Sequence, residues 1–343
     1  MKALILKEYN KFEYSDIAIP KIKENEVLIK VKACGICGSD IYGMDGSTGR
    51  RIPPIIMGHE ASGIISEIGK NVKKWKIGNK VTFDSTIYCG NCYYCLQGHF
   101  NLCENRRVIG VSCNEYSQNG AFAEFIAVPE NILYKLPDNI TFEEASMIEA
   151  LSVAYHAVKR ISFDNNNIPV VIGAGMIGIL IIQILKFFGY KNIIAIDIND
   201  EKLEYAEKFG ANFIFNFQKD KIKEKIFKIT HNRGADLVFE AVGISSTINI
   251  AIDILKKGAA LICIGNLCSK IEIPLQTIVK KELTIYGSCC SNGEYPTCID
   301  MIIQKKVDVK SFISAVIPLS EGVKWFKKLY NHKSGLFKVI LKP

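Results

Sequence analysis

From about residue 165 the chain repeats apolar strand, glycine-bearing turn and helix, and this repeat constrains its second half more than any other feature. Ile168 to Ile172 is an apolar run ending in glycines, followed by a helix to about Phe188. Ile193 to Ile196 forms the next strand, closed by Asp197, and Glu201 to Phe209 reads as a helix stopped by Gly210. Phe213 to Phe215, Leu237 to Glu240, Ala259 to Ile264 and Leu283 to Tyr286 add four strands. Such alternation predicts an α/β unit, a doubly wound parallel sheet with helices on both faces.

The first turn of the repeat is Gly173-Ala174-Gly175-Met176-Ile177-Gly178, a GxGxxG pattern opening a helix. Gly173 permits the tight turn, Gly175 lets the backbone approach a pyrophosphate, and Gly178 allows close helix–strand packing. The helix start at Met176 and Ile177 offers unpaired N–H groups and a positive dipole end to phosphates. Alone the pattern is weak, because glycine turns are common after strands. Asp197 strengthens it: 24 residues after Gly173, at the end of the second strand, its carboxylate is placed for the hydroxyls of an adenosine ribose. A 2′-phosphate would meet that negative charge, and Ile198-Asn199 offers no arginine to receive it, so NAD is expected over NADP. Lys202 has two readings, a ribose contact or a solvated surface lysine. Val242 and Gly265, which follow two of the later strands, complete the candidate cofactor contacts.

At 343 residues the chain exceeds one ordinary core. Its first third holds short apolar alternations broken by glycine and proline, such as Val27 to Val31, Gly63 to Ile68 and Val81 to Phe83, which predict a β-rich domain. After Gly287 the strand–helix repeat ends. A last helix and a strand at Leu336 to Leu341 are expected to return to the first domain and make it discontinuous. Hydrophobic residues make up 48% and aromatics 10%, too many for a disordered chain. The N-terminus lacks a secretory apolar core, and the longest apolar stretch, Ile177 to Phe188, contains Gln183 and Lys186 and falls short of a membrane span. A cytoplasmic location is therefore expected. The net charge of +8 comes from 43 basic against 35 acidic residues, with no run of five like charges. It reads as solvated surface, with attraction of anionic ligands as the lesser alternative, and neither nucleic acid nor membrane is an expected partner.

Twelve cysteines are many for such a chain, and in a reducing compartment they point to metal or catalysis rather than disulfides. Cys89, Cys92, Cys95 and Cys103 have the spacing C-x2-C-x2-C-x7-C within one loop. Four converging thiolates suit tetrahedral Zn²⁺, and an all-thiolate shell is closed and therefore structural. Iron–sulfur runs begin with similar spacing, but the last interval here is longer and no proline follows. His99 inside the loop is expected at the surface, since four sulfurs complete the shell. A second set is dispersed: Cys37 in Cys34-Gly35-Ile36-Cys37-Gly38-Ser39-Asp40, His59 in Gly58-His59-Glu60, and Glu149 in Met147-Ile148-Glu149-Ala150. A thiolate, an imidazole and a carboxylate can hold zinc while leaving a position open for substrate. Asp40 is expected to orient His59 through its other ring nitrogen. Cys34 is expected in the core, and Cys113, Cys263 and Cys268 as small packed hydrophobes.

Gly58-His59-Glu60-x2-Gly63-x5-Gly69-x2-Val72 matches the zinc alcohol dehydrogenase signature, and essentially the whole chain resembles the zinc-containing medium-chain dehydrogenase/reductase family. The resemblance implies a GroES-like, β-rich, zinc-binding catalytic domain at 1–155 and 289–343 and a Rossmann NAD-binding domain at 156–288. It also implies two zinc ions per chain, one catalytic and one structural, and a homodimer or homotetramer. Within the family the chain is most similar to the sorbitol, galactitol-1-phosphate and butanediol dehydrogenase branch. There a Glu-Pro-Leu segment supplies glutamate where alcohol dehydrogenases use a zinc-binding cysteine. Here the segment is Glu149-Ala150-Leu151-Ser152-Val153, without the proline but with the carboxylate. Family members differ over whether the glutamate matching Glu60 or the one matching Glu149 completes the zinc sphere, so both stand as candidates beside Cys37 and His59.

Two departures bear on the chemistry. Tyr42 stands where alcohol dehydrogenases often carry a relay histidine, and a phenol with pKa near ~10 is a poorer base than imidazole. Ser288-Cys289-Cys290-Ser291-Asn292 lacks the arginine that sorbitol dehydrogenases carry, which makes sorbitol itself a less expected substrate. The implied activity is hydride transfer between NAD and the secondary alcohol of a small polyol, a sugar alcohol (phosphorylated or not) or a diol. Threonine and simple alcohols are the alternative substrates. The ion would lower the pKa of the substrate hydroxyl, Ser39 would take its proton, and hydride would pass to the nicotinamide. Rivals from other classes are a catalytically silent NAD-binding protein and a zinc-loop binding module, the latter showing salt-dependent nucleic-acid binding.

Overall fold

The computed structural model describes residues 1–331 and 336–343. They divide into two units, Met1–Glu149 with Ser291–Pro343, and Ala150–Cys290. The first is built on a mixed sheet with Glu26–Gly35 at its centre. That strand is central because alternate residues are apolar: Val27, Ile29, Val31 and Ala33 are at most 2% exposed, while Lys30 faces solvent. It pairs antiparallel with Glu60–Ile68 on one side, and with Phe125–Pro129 and Lys338–Lys342 on the other. Lys80–Phe83 and Leu133–Lys135 extend one flank, and Ile313–Pro318 the other. A smaller sheet of Lys2–Glu8, Lys11–Asp16 and Ile55–Ile56 shares the core, where Leu4, Ile29, Phe83, Phe122 and Phe326 are fully buried. Each such side chain contributes roughly 1.5–3 kcal/mol by leaving water.

Register in this sheet creates the site. Gly35 sits opposite Glu60 in the antiparallel pair, so one chain leaves the pair toward Cys37 and the other arrives from His59. Two residues far apart in sequence thus become neighbours. A Cβ at Gly35 would lie 2.3 Å from Glu60 Oε2, so any other residue there would displace the Glu60 carboxylate. The last strand reaches the same end, with Ile36 N–H donating to the Val339 carbonyl at 2.9 Å, and this places Lys338 beside Glu60.

The second unit is a six-stranded parallel sheet among the described residues. Its order is Phe213–Asn216, Ile194–Asp197, Pro169–Ile172, Ala235–Glu240, Leu255–Cys263, Thr284–Gly287. Chain order reverses between Pro169–Ile172 and Ala235–Glu240, and a doubly wound sheet binds ligands at such a switch point, beyond the carboxyl ends of its strands. The apolar helix Met176–Phe187 is buried from Gly178 to Leu185, which accounts for its hydrophobicity. No helix among the described residues is long and apolar enough to cross a membrane.

Several boundaries differ from the sequence expectation. Leu255–Cys263 starts before Ala259 because Leu255 already pairs with Ala235 ahead of a register shift. The helix after Asp197 begins at Asp200, where Asn199 caps it by accepting from the Lys202 N–H at 3.1 Å. The C-terminal return holds more than one helix and one strand. Helices Tyr295–Ile303 and Gly322–Tyr330 alternate with strands Ile313–Pro318 and Lys338–Lys342. Ile313–Pro318 escaped notice because it lies at a sheet edge, with exposed residues interrupting a short apolar run.

Candidate active site and metal centres

Cys37 opens the short helix Gly38–Gly43, and its N–H donates to Asp40 Oδ2 at 3.2 Å. Cys37, His59 and Glu60 each present a ligand atom within 4.8 Å of the others. Glu149, at the start of helix Ile148–Lys159, stands outside that set and accepts from Ser85 Oγ at 3.2 Å. His59 is 6% exposed, and its Nδ1 is buried without a hydrogen-bond partner. Asp40 Oδ1 faces that nitrogen at 3.6 Å, the expected side but beyond hydrogen-bond range. Ser39 is exposed beside them.

Two buried cations were not anticipated from the sequence. Lys338, 3% exposed, donates to both oxygens of Glu60, at 2.7 and 2.5 Å. Arg51, also 3% exposed, donates to Asp40 Oδ1 at 2.9 Å and to Ser39 Oγ at 3.2 Å. No local signal marks either residue, since the lysine sits in an apolar strand and the arginine in a loop.

The charges of this cluster do not balance by themselves. With Cys37 as thiolate, Asp40, Glu60 and Glu149 bring the anions to four, while Arg51 and Lys338 supply two cations. One divalent ion with neutral His59 closes the gap, and a thiolate–imidazole–carboxylate set suits zinc. Without an ion, protons must close it. Burial disfavours a charged imidazole, yet Asp40, then Cys37 and Glu149, lift His59 to about 10. Burial also pushes Glu149 up to about 7, aided by Glu60 and Asp84 against the pull of His59. Metal loading at pH 8 is therefore expected to release the proton of His59. Calorimetry of zinc binding to apoprotein in two buffers of different ionisation enthalpy measures the number. As pH is lowered below about 10, zinc affinity should fall about tenfold per unit for each proton displaced.

The four-cysteine lobe meets the geometric requirement of its ion. Cys89, Cys92, Cys95 and Cys103 bring their sulfurs within 4.8 Å of one another. Cys89 Sγ lies 3.5 Å from Cys103 Sγ and 3.9 Å from Cys95 Sγ, bracketing the ~3.8 Å edge of a tetrahedron with Zn–S of ~2.3 Å. Backbone N–H groups of Asn91 and Cys92 pull the Cys89 thiol down to about 6, whereas burial pushes Cys95 to about 12. His99 is exposed. The segment that lacks the sorbitol dehydrogenase arginine ties this lobe down. Asn292 Oδ1 accepts from Phe100 N–H at 2.9 Å, its Nδ2 donates to the Gly98 carbonyl at 3.0 Å, and Ser291 Oγ donates to Asp84 Oδ2 at 2.9 Å.

In the second unit the glycine turn has the form a dinucleotide needs. Gly173 has φ +94°, and a Cβ on Gly178 would lie 1.8 Å from the Gly173 carbonyl oxygen. A Cβ on Gly175 would meet nothing within 4 Å, so the backbone there borders open space. Asp197 accepts from Ala174 N–H at 2.7 Å and Asn199 N–H at 2.9 Å, which fixes its carboxylate between the glycine turn and the start of the next helix. Met176, Ile177 and Lys202 are half-buried nearby in the chain. Val242 Cγ2 crosses the switch point to within 2.7 Å of a Cβ built on Gly173. Gly265 packs against the Val242 backbone, where a Cβ would come within 2.2 Å, so close approach of two loops explains this glycine. Glu240, fully buried and unforeseen, accepts from the Val242 and Gly243 N–H groups and holds that loop.

Cys34 is buried, as expected. Cys268 is exposed and Cys113 only half-buried, so the reading of these two as packed hydrophobes does not hold, whereas Cys263, half-buried, packs against the core of the second unit as expected.

Residues 23–138 match the family described as "Alcohol dehydrogenase GroES-like domain", and residues 177–304 match "Zinc-binding dehydrogenase". The chain is 33% identical to D-xylulose reductase A of Aspergillus oryzae over 95% of its length and 93% of that protein. It is 31% identical to sorbitol dehydrogenase of Bacillus subtilis, over 100% and 97% respectively. Among solved structures, galactitol-1-phosphate dehydrogenase from Escherichia coli superposes with a TM-score of 0.92 at 29% identity, covering 100% of both chains.

Proposed function

Because this chain belongs to the zinc-binding dehydrogenases, with an alcohol dehydrogenase GroES-like domain preceding the dinucleotide unit, we propose that it oxidises the secondary alcohol of a small polyol, sugar alcohol or diol with NAD. The observation that carries this reading is the buried charge deficit around Cys37, His59, Glu60 and Glu149, which one divalent ion closes. Cys37 and His59 are its ligands in this reading, and Glu60 and Glu149 are the carboxylates available to the third protein position. When bound, zinc supplies Lewis acidity toward an alcohol or carbonyl oxygen.

The chain's own residues do the rest. Ser39, exposed beside Cys37, takes the substrate hydroxyl proton and passes it to water. Lys338 holds Glu60 in place and offsets its charge. The Gly173–Gly178 turn and Asp197 bind the dinucleotide through its phosphates and adenosine ribose. Overall, a carbinol loses a hydride to NAD⁺ and a proton to solvent, giving a ketone, NADH and H⁺. Homo-oligomeric assembly, which rests on the family alone, and a cytoplasmic location belong to the same reading.

The test is NADH formation across a panel of polyols, diols, sugar phosphates, simple alcohols and threonine. Turnover with polyols or their phosphates, lost with a chelator and restored by zinc, supports the assignment. Turnover with threonine alone would replace it, and no turnover on any arm would favour a silent NAD-binding protein. A second check concerns the nucleotide. Asp197→Ser removes charge-assisted hydrogen bonds to the ribose and should raise the NAD KM about 10- to 100-fold while leaving NADP less affected. Steady-state kinetics with both nucleotides measures it.

A further inference from the structure

We propose that Arg51 is a positioning residue that gives the Ser39 hydroxyl one entrance and one exit for a proton. This rests on the dehydrogenase reading and deepens it. A serine oxygen has two lone pairs and one hydrogen. Arg51 Nη2 donates to Ser39 Oγ at 3.2 Å and so commits one lone pair. What remains is a single acceptor site and a single donor. A proton can then enter only at the free lone pair while the original hydroxyl proton departs to water, which leaves serine neutral and unchanged.

The arginine is fixed for this task. It is 3% exposed, and its Nε and Nη2 both reach Asp40 Oδ1, at 3.3 and 2.9 Å, while Nη1 donates to the Arg50 carbonyl at 2.9 Å. Asp40 is fully buried, and its other oxygen receives the Cys37 N–H, so the guanidinium is tied to the helix turn that carries both Cys37 and Ser39. Gly43 clears its path: a Cβ there would lie 2.5 Å from Arg51 Cγ. Reach and a second tie matter here: Nη2 serves the Asp40 carboxylate and the Ser39 hydroxyl together while Nε also holds Asp40. A lysine ammonium has donors enough but ends one bond short of the Nη2 position, so it can neutralise Asp40 while losing its reach to Ser39.

The experiment compares wild type, Arg51→Lys, Ser39→Ala and the double variant, all zinc-loaded. Arg51→Lys should lower kcat about tenfold, a part of the ~10²–10⁴-fold that positioned proton transfer contributes, with NAD KM unchanged and a solvent deuterium isotope effect that wild type lacks. In the Ser39→Ala background the same change should alter kcat less than about twofold, since the group Arg51 acts on is gone. Release of the Cys37-site zinc to a chelator should match wild type in Arg51→Lys. Gly43→Ala, which pushes on Arg51 without changing its charge, should reproduce the isotope effect and covers the case in which Arg51→Lys does not fold. Full additivity with Ser39→Ala, accelerated zinc loss, or unchanged kcat in both Arg51→Lys and Gly43→Ala would overturn the proposal. Absence of dehydrogenase activity in wild type would instead defeat the underlying reading.

Discussion

Replacing Cys37 with serine is expected to lower kcat about a thousandfold or more while NAD affinity stays within about twofold. Lewis-acid stabilisation by a metal is worth several kcal/mol, and each 1.36 kcal/mol is a factor of ten in rate. Cys37 supplies the only sulfur among the Cys37, His59 and Glu60 ligand atoms, so a hydroxyl in its place weakens the grip on a borderline-soft ion. The dinucleotide cradle, Gly173 to Gly178 with Asp197, lies wholly in the other unit and retains its residues. Single-turnover kinetics alongside NADH binding by fluorescence separate the two quantities. A parallel fall in both would mean that the variant damages the fold rather than the metal.

The second large effect concerns stability. Lys338→Met leaves Glu60, 1% exposed, as a buried anion without its partner, and breaking such a pair from one side costs about 3–5 kcal/mol. For a unit of this size the melting temperature should fall by roughly 10 °C. Adding Glu60→Gln removes the stranded charge and should return most of that loss. The sign of the pH dependence follows from the lysine. Burial works against its charge, but Glu60, with Cys37 and Glu149 behind it, holds its pKa above the ordinary 10.5. A raised folded-state value means that the contribution is complete below the unfolded lysine pKa and fades as pH rises through the folded one. The wild-type and Lys338→Met melting temperatures should therefore keep a constant gap from pH 6 to 9, and the gap should narrow only above about 10.5. Differential scanning calorimetry across that range reads both statements.

These two residues show where sequence reading succeeded and where it stopped. The parallel sheet and its glycine turn were legible because each strand, cap and turn is a local pattern, and Gly173, Gly178 and Asp197 fall where that pattern requires. The four-cysteine lobe was legible for the same reason, since all its sulfurs come from one loop. Cys37 and His59 were recognisable only as a combination; the Gly35–Glu60 register that joins them is a property of the folded sheet. Lys338 and Arg51 left no trace. Lys338 meets Glu60 across 278 positions, and a lysine in an apolar strand looks like ordinary alternation until its neighbours are known. The same limit applies to Cys268, whose exposure depends on how its turn is placed rather than on its own apolar character.

The proposed catalysis depends on a divalent ion answering the charge deficit at Cys37, His59, Glu60 and Glu149, separately from the one in the cysteine lobe. Metal content per chain, measured by mass spectrometry of wild type and Cys37→Ser purified without added metal, tests this directly. Two zinc ions in wild type and one in the variant are expected. A single zinc in both, with dehydrogenase turnover intact in wild type, would contradict it.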